Sequence, residues 1–143
     1  MLMNLLLGLS TMALCLFLQS LLVVVAIRYY SRHEPDINTP SFTVSLLVIN
    51  VVMLLLVIGN LSQVAIWALL FEMLGEFEQF DIAFYHSAVN FATLGYGDII
   101  MSDQHKLLGP IQAINGVLMI GVSTAALMWT FQDAMKKTLH ARK

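Results

Sequence analysis

Residues 91–100 read FATLGYGDII. Two glycines, a threonine, a tyrosine and an acid stand there between long apolar stretches. Gly95 and Gly97 weaken a helix and open left-handed dihedrals to the backbone. The surroundings make that choice expensive. Of 143 residues, 59% are hydrophobic and 11% charged, against about 25% charged in an average soluble domain. This is the composition of a membrane protein. At membrane depth, non-helical backbone is tolerated only where protein buries it or where it lines a water-filled cavity. The string therefore points to a special backbone site inside a bundle of spans.

Working outward, three apolar segments are long enough to cross. They run over about residues 2–27, 42–71 and 107–131. At 1.5 Å per residue each exceeds a hydrocarbon core of about 30 Å. The first has no basic residue ahead of it and no small-residue cleavage site. It reads as a retained helix rather than a signal peptide. Arg28 and Arg32 come after that span, and Lys136, Lys137, Arg142 and Lys143 lie in the C-terminal tail. Six of the seven basic residues thus share one side, with Lys106 on the other. The positive-inside rule makes the shared side cytoplasmic, with the N-terminus outside the plasma (inner) membrane. Tyr29, Tyr30 and Trp129 are expected near the inner interface and Trp67 near the outer one. Pro35 and Pro40 punctuate the inner loop, and Pro40 suits a first helical turn.

Residues 72–106 must then begin and end outside. Their middle, FDIAFYHSAVNFA, is too apolar for a water-exposed loop and too short to cross and return as two helices. The physical solution is a re-entrant one. A short helix, with Asp81 as the expected N-cap, descends to about Ala92, and an extended strand climbs back.

On these residues the chain resembles the potassium channel family. Thr93-Leu94-Gly95-Tyr96-Gly97-Asp98 is similar to that family's selectivity filter, usually Thr-Val-Gly-Tyr-Gly-Asp. Five fixed positions at about 5% each match by chance at a rate of order 10⁻⁷. The order of helix, pore helix, filter and helix is similar as well, over roughly residues 42–132. The additional first helix resembles that of small bacterial pore-loop channels. The resemblance implies an all-α membrane protein with three transmembrane helices, a re-entrant pore helix and a filter, four chains forming one pore. It divides the chain into an extra helix at 1–30, a cytoplasmic loop at 31–40, a pore domain at 41–132 and a basic tail at 133–143. Within the pore domain it implies an outer helix at 41–71, a pore helix at 81–92, a filter at 93–98 and an inner helix at 107–132.

The implied chemistry is replacement of the hydration shell of K⁺. Carbonyls of Thr93, Leu94, Gly95 and Tyr96, with the Thr93 hydroxyl, would supply the oxygens. Leu94 stands where valine is commoner. The expected partners are a lipid bilayer, permeant K⁺ and three further copies of the chain; no cofactor and no nucleic acid are implied. On the pore helix, Tyr85 and His86 stand where many relatives carry an aromatic pair. Val89 stands where some carry a glutamate, so Tyr85 is expected to bond Asp98 in its place. On the inner helix, Gly116 and Gly121 align with two glycines of the family, one of them a gating hinge. Val117, Ile120, Thr124 and Met128 are expected to face the cavity, with Met128 a candidate constriction.

Other features narrow the reading. Glu72, Glu76, Glu78, Asp81, Asp98 and Asp103 face Lys106 on the outer side; six acids and one base leave −5 per chain. Such a field concentrates cations. No span carries a ladder of arginines, so no voltage sensor is expected, and little chain remains for a ligand-binding domain. Asn60, Gln63, Gln112 and Asn115 are expected in interhelical hydrogen bonds. Cys15 is the sole cysteine, read as packed or lipid-facing, and the four histidines are too scattered for a metal site. Gly95-x-Gly97-Asp98 also fits the string of intramembrane aspartyl proteases. Those need a second buried aspartate, and none lies within a span, so no enzyme is expected. A weakly selective monovalent cation channel and a non-conducting membrane subunit remain as alternatives.

Overall fold

In lipid every backbone group must find its partner within the segment, so apolar runs of this length become helices. The computed structural model describes residues 1–33 and 42–140. It contains four helices in the order α1 (Leu2–His33), α2 (Phe42–Met73), α3 (Phe80–Phe91) and α4 (Leu108–His140), and no paired β-strand among the described residues; the strand that follows α3 is a single, unpaired extended stretch. Three of them are long and apolar enough to cross a membrane. The fold is all-α, as expected. The two prolines of the inner connection lie outside the described residues, as do Arg142 and Lys143.

Helix ends show where local chemistry decides. α2 stops at a Schellman motif. Gly75 adopts φ +74°, its N–H donates to the Glu72 carbonyl at 2.9 Å, and the Glu76 N–H reaches the Phe71 carbonyl at 3.1 Å. α3 begins earlier than expected. Gln79 is its N-cap and Asp81 lies in the first turn, where its Oδ1 accepts from the Ile82 N–H at 2.9 Å. A carboxylate there still favours the positive end of the helix. α4 continues past the apolar limit at Phe131 to His140. Ala134, Met135, Lys136 and Lys137 are good helix formers with no glycine or proline among them, so the helix outlasts its hydrophobicity.

α1 lies against both α2 and α4, and α3 is wedged between α2 and α4. The half of the bundle that holds α3 is packed around Cys15, Trp67, Phe71, Leu108 and Ile111. The opposite half is packed around Ala26, Tyr30, Val48, Val52, Leu56 and Ala126. Trp67 and Tyr30, expected at the headgroups, are 0% and 1% exposed. Trp67 tilts against Phe71 and Tyr30 meets Trp129 edge-on. Each ring is thus packed against a protein neighbour.

Candidate ion-conducting site

The site begins with what holds α3. Its Ser87 hydroxyl donates to the Val64 carbonyl of α2 at 2.7 Å. From the other side, Gln112 Nε2 of α4 donates to the Ser87 Oγ at 2.5 Å and to the Ser87 carbonyl at 3.1 Å. Gln112 therefore has the interhelical role expected of it. Deeper, the tip of α3 presses on α4 at Gly116. A Cβ added at Gly116 would lie 2.0 Å from the Phe91 carbonyl oxygen. Gly116 is eight residues inside the start of α4, about 12 Å along the helix. The 12-residue α3 thus descends partway between two spans and stops.

Beyond Phe91 the chain leaves the helix. The Thr93 and Leu94 N–H groups still donate back to the Asn90 and Val89 carbonyls, both at 2.9 Å. Then the backbone alternates. Thr93, Gly95 and Gly97 have φ of +57°, +57° and +73°, while Leu94 and Tyr96 do not. In an ordinary strand successive carbonyls point to opposite sides. Inserting a left-handed residue at every second position turns them toward one side. Glycine makes this cheap at two of the three positions. Thr93 is the non-glycine member, and nothing in its residue type signals a positive φ. Every residue from Ala92 to Asp98 is exposed on the single chain, including the Leu94 and Tyr96 side chains.

Two neighbouring side chains of α3 hold Asp98 and Ile99, at the exit of this strand. The Tyr85 hydroxyl donates to Asp98 Oδ2 at 2.7 Å. That bond keeps the Asp98 carboxyl below the usual carboxylate range. His86 Nδ1 lies 3.0 Å from the Ile99 carbonyl oxygen, and its Nε2 lies 2.9 Å from Asn90 Nδ2. A carbonyl only accepts and an amide NH₂ only donates, so His86 is the neutral tautomer with the proton on Nδ1. Phe71 and Phe77 enclose its ring. Val89, 7% exposed, supports the strand through its carbonyl rather than its side chain. Tyr85→Phe is expected to change the K⁺/Na⁺ permeability ratio or the inactivation rate roughly fivefold, the worth of one hydrogen bond in an equilibrium. Bi-ionic reversal potentials and current decay measure this, and a variant indistinguishable from wild type refutes it.

A second brace is not evident in the sequence. Glu76, aimed by the Gly75 turn, reaches over to the segment that returns to α4. Its Oε2 accepts from the Ser102 N–H at 2.7 Å and its Oε1 from the Ser102 hydroxyl at 2.6 Å. His105 Nδ1 stands 2.5 Å from the same Oε1. The Glu76 side chain is 4% exposed and the His105 side chain 7%. Burial opposes the charge, but the Ser102 hydroxyl, the Ser102 N–H and His105 outweigh it and hold the carboxyl below its ordinary range. The available signal was a glycine closing α2 with an acid next to it. Of the outer acids, Glu76 is thus turned inward and Asp103 is paired with Lys106 at 2.8 Å.

Residues 61–133 match a family model described as Ion channel. The chain belongs to the ion-channel family. No curated protein and no solved structure gave a match. The ion-channel match takes in the outer part of α2, all of α3, the strand and most of α4, and leaves α1 outside. It is a channel domain and not an enzyme family, so the protease alternative falls away.

On α4 of this ion channel, the residues expected to face a cavity share one side. Val117, Ile120, Gly121, Thr124 and Met128 are all exposed on the single chain, at the spacing of one helical face. The opposite face, with Met119, Ser123 and Thr130, is buried. Gly116 differs from Gly121. Gly116 is a point of close contact with α3, whereas a Cβ at Gly121 would meet nothing within 4 Å. The Thr124 hydroxyl is returned to the Ile120 carbonyl at 2.8 Å.

Proposed function

We propose that the chain is one quarter of a potassium-selective channel. Four strands of residues 93–98 would surround one axis, and the carbonyls of Thr93, Leu94, Gly95 and Tyr96 with the Thr93 hydroxyl would replace the water of a K⁺ ion. The observation that carries this reading is the alternation of left-handed residues at Thr93, Gly95 and Gly97, in a strand that a re-entrant helix delivers to membrane depth. Exposed backbone at that depth requires a protein or aqueous neighbour, and a single chain offers none. A cavity of about 570 Å³ beside the strand, lined among others by His86, Asn90, Gly95 and Pro110, leaves room for an adjoining copy. Closed symmetry gives each strand the same surroundings.

In this assembly Tyr85, His86 and Val89 support the filter, and Gly97 and Asp98 form its outer mouth. Val117, Ile120, Thr124 and Met128 line the cavity, Gly121 is the flexible point of α4, and Gly116 seats the pore helix. The C-terminal end of α3 points its partial negative charge at the cavity and favours a cation there. The distribution of basic residues supports an orientation with the N-terminus outside and the C-terminus in the cytoplasm, in the plasma (inner) membrane. Glu72, Glu78, Asp81 and Asp98 would concentrate cations at the outer mouth, an effect that weakens with salt.

The test is flux of purified protein in liposomes under a K⁺ gradient, then reversal potentials with K⁺ on one side and Na⁺ on the other. A potential close to that of a K⁺ electrode is expected. A reversal near zero in those solutions makes the protein a weakly selective cation channel, and absence of cation flux removes the reading altogether.

A further inference from the structure

The extra helix α1 lies outside the region that the channel family accounts for, yet it is fastened to the pore unit by polar contacts at three depths. At its outer end, Asn4 Nδ2 donates to the Gln104 carbonyl, on the return from the filter, at 2.6 Å. In mid-membrane, Gln19 Nε2 donates to the Ser123 hydroxyl of α4 at 2.8 Å, and Gln63 Nε2 of α2 donates to Gln19 Oε1 at 2.6 Å. Gln19 and Gln63 are 2% and 0% exposed. At the inner end, the Tyr30 hydroxyl donates to Asp133 Oδ2 at 3.2 Å. Lys137 pairs with the same carboxylate oxygen at 2.8 Å and stands 5.6 Å above the Tyr30 ring.

These contacts have a common register. Gln19 to Tyr30 is eleven residues of α1, and Ser123 to Asp133 is ten of α4. At 1.5 Å per residue the two intervals match to within about 2 Å, so α1 and α4 run side by side in the same direction. Lipid alone supplies no such fixation. An apolar helix that served only as an anchor has no use for a glutamine, which is costly to bury without a partner. Two of the three contacts fall on α4, on either side of Met128 and inward of Gly121. The inner half of α4 therefore cannot swing about Gly121 without parting from Tyr30, while the Gln19–Ser123 contact stays near the pivot.

We propose that α1 is a latch on the inner helix, with Tyr30 the positioning residue that sets the balance between the two arrangements of the gate by holding Asp133. The latch rests on the conduction reading above. Tyr30 touches no ion path, so its effect belongs to the gate and not to the filter. Four chains carry four latches, and each hydrogen bond is worth about fivefold in an equilibrium constant.

The experiment is single-channel recording of the whole protein in planar bilayers, with Tyr30→Phe, Asp133→Ala, both together, and Gln19→Leu as a variant at the mid-membrane contact. Tetramer integrity is checked by size exclusion and thermal melting. Tyr30→Phe is expected to shift open probability at least fivefold, with unitary conductance and reversal potential unchanged, whereas Gln19→Leu, near the pivot, should shift it less than twofold. In the Asp133→Ala background, Tyr30→Phe should add less than twofold, because the carboxylate that accepts from its hydroxyl is already gone. A smaller shift in a Tyr30→Phe protein that still assembles, an equal shift in Gln19→Leu, or an additive double variant overturns the latch. A wild-type protein that carries no current overturns the conduction reading instead, and the latch falls with it.

Discussion

Gly116→Ala is expected to abolish conduction and to prevent stable assembly. The added methyl would sit 2.0 Å from the Phe91 carbonyl oxygen, 2.8 Å from its carbon and 2.9 Å from its Cα. All three are backbone atoms at the end of a helix, so no side-chain rotation relieves the overlap. Overpacking a core costs about 1–3 kcal/mol where side chains can adjust. Here α3 and α4 must separate, and the cost lies at or above the upper end of that range for each chain. Separation also moves Ala92 and Thr93, where the strand begins. Gly109→Ala on the same helix is the matched comparison. Its nearest foreign atom would be Asn90 Nδ2 at 3.5 Å, an ordinary contact, and alanine is the better helix former by about 1 kcal/mol. Gel filtration and K⁺ flux of the two variants should therefore diverge sharply. Wild-type flux from Gly116→Ala would mean that α3 does not seat on α4 in the working protein.

That contact also shows where sequence reasoning stops. The three spans, the re-entrant segment and the 93–98 string are written in composition, segment length and residue identity. All three survive without knowledge of any partner, because lipid forces apolar runs into helices whatever lies beside them. Which residue meets which depends on helix rotation and on the other helices, and the sequence does not carry that one residue at a time. Gly116 is a hinge candidate by its place in the chain. Its contact with Phe91 needs two helices to be docked. Asn60 and Gln63 are legible as residues in need of partners. Gln19 and Ser123, which complete that group at mid-membrane, are not, because which of Gln19 and Ser20, or of Ser123 and Thr124, faces a partner depends on helix rotation. Asn60 Oδ1 accepts from the Ser123 hydroxyl at 3.3 Å. The capping role expected of Asp81 fails for a similar reason. Its carboxylate suits the first turn as well as the cap, and the tilted ring pair of Phe80 and Phe84 favours a helix that already includes Phe80.

Buried polar contacts are distributed unevenly along α4. The pore helix is held through Ser87 by α2 and α4 at once, and through Tyr85 and His86 it holds the strand exit. Every one of these bonds lies outward of Gly116. Inward of Gly121, α4 is held mainly by α1 and by the packing around Tyr30 and Ala126. A filter needs donors and acceptors held to a few tenths of an ångström, while a gate needs two arrangements of similar energy. On the conduction reading proposed above, the distribution of hydrogen bonds along α4 would serve both demands within one helix.

The outer brace yields the second large effect, and its sign is set by the ionisation of Glu76. Glu76→Gln keeps the shape of the side chain but replaces a charged double acceptor with one acceptor and one donor. The amide NH₂ would then face the Ser102 N–H or His105, both of which donate. Hydrogen bonds to a charged group contribute about 1.5–3 kcal/mol each, so loss of this set should destabilise the outer mouth by at least about 2 kcal/mol per chain. Because the native state holds the Glu76 carboxyl below its ordinary range, the stability it provides is full above that range and is lost as pH falls through the depressed value. Asp98 is depressed in the same direction by Tyr85, so acid also loosens the filter exit in the wild type. The wild-type protein should therefore begin to lose stability below the ordinary imidazole range, where the buried neutral His86 is forced to charge, and lose it steeply below the ordinary carboxylate range. Glu76→Gln should melt lower at neutral pH and show a shallower acid limb, retaining only the His86 and Asp98 components. Electrical recordings with acid on the Glu76 side alone should show faster loss of current in the wild type than in the variant. Parallel acid limbs in the two proteins would mean that Ser102 and His105 are held by something other than the Glu76 charge.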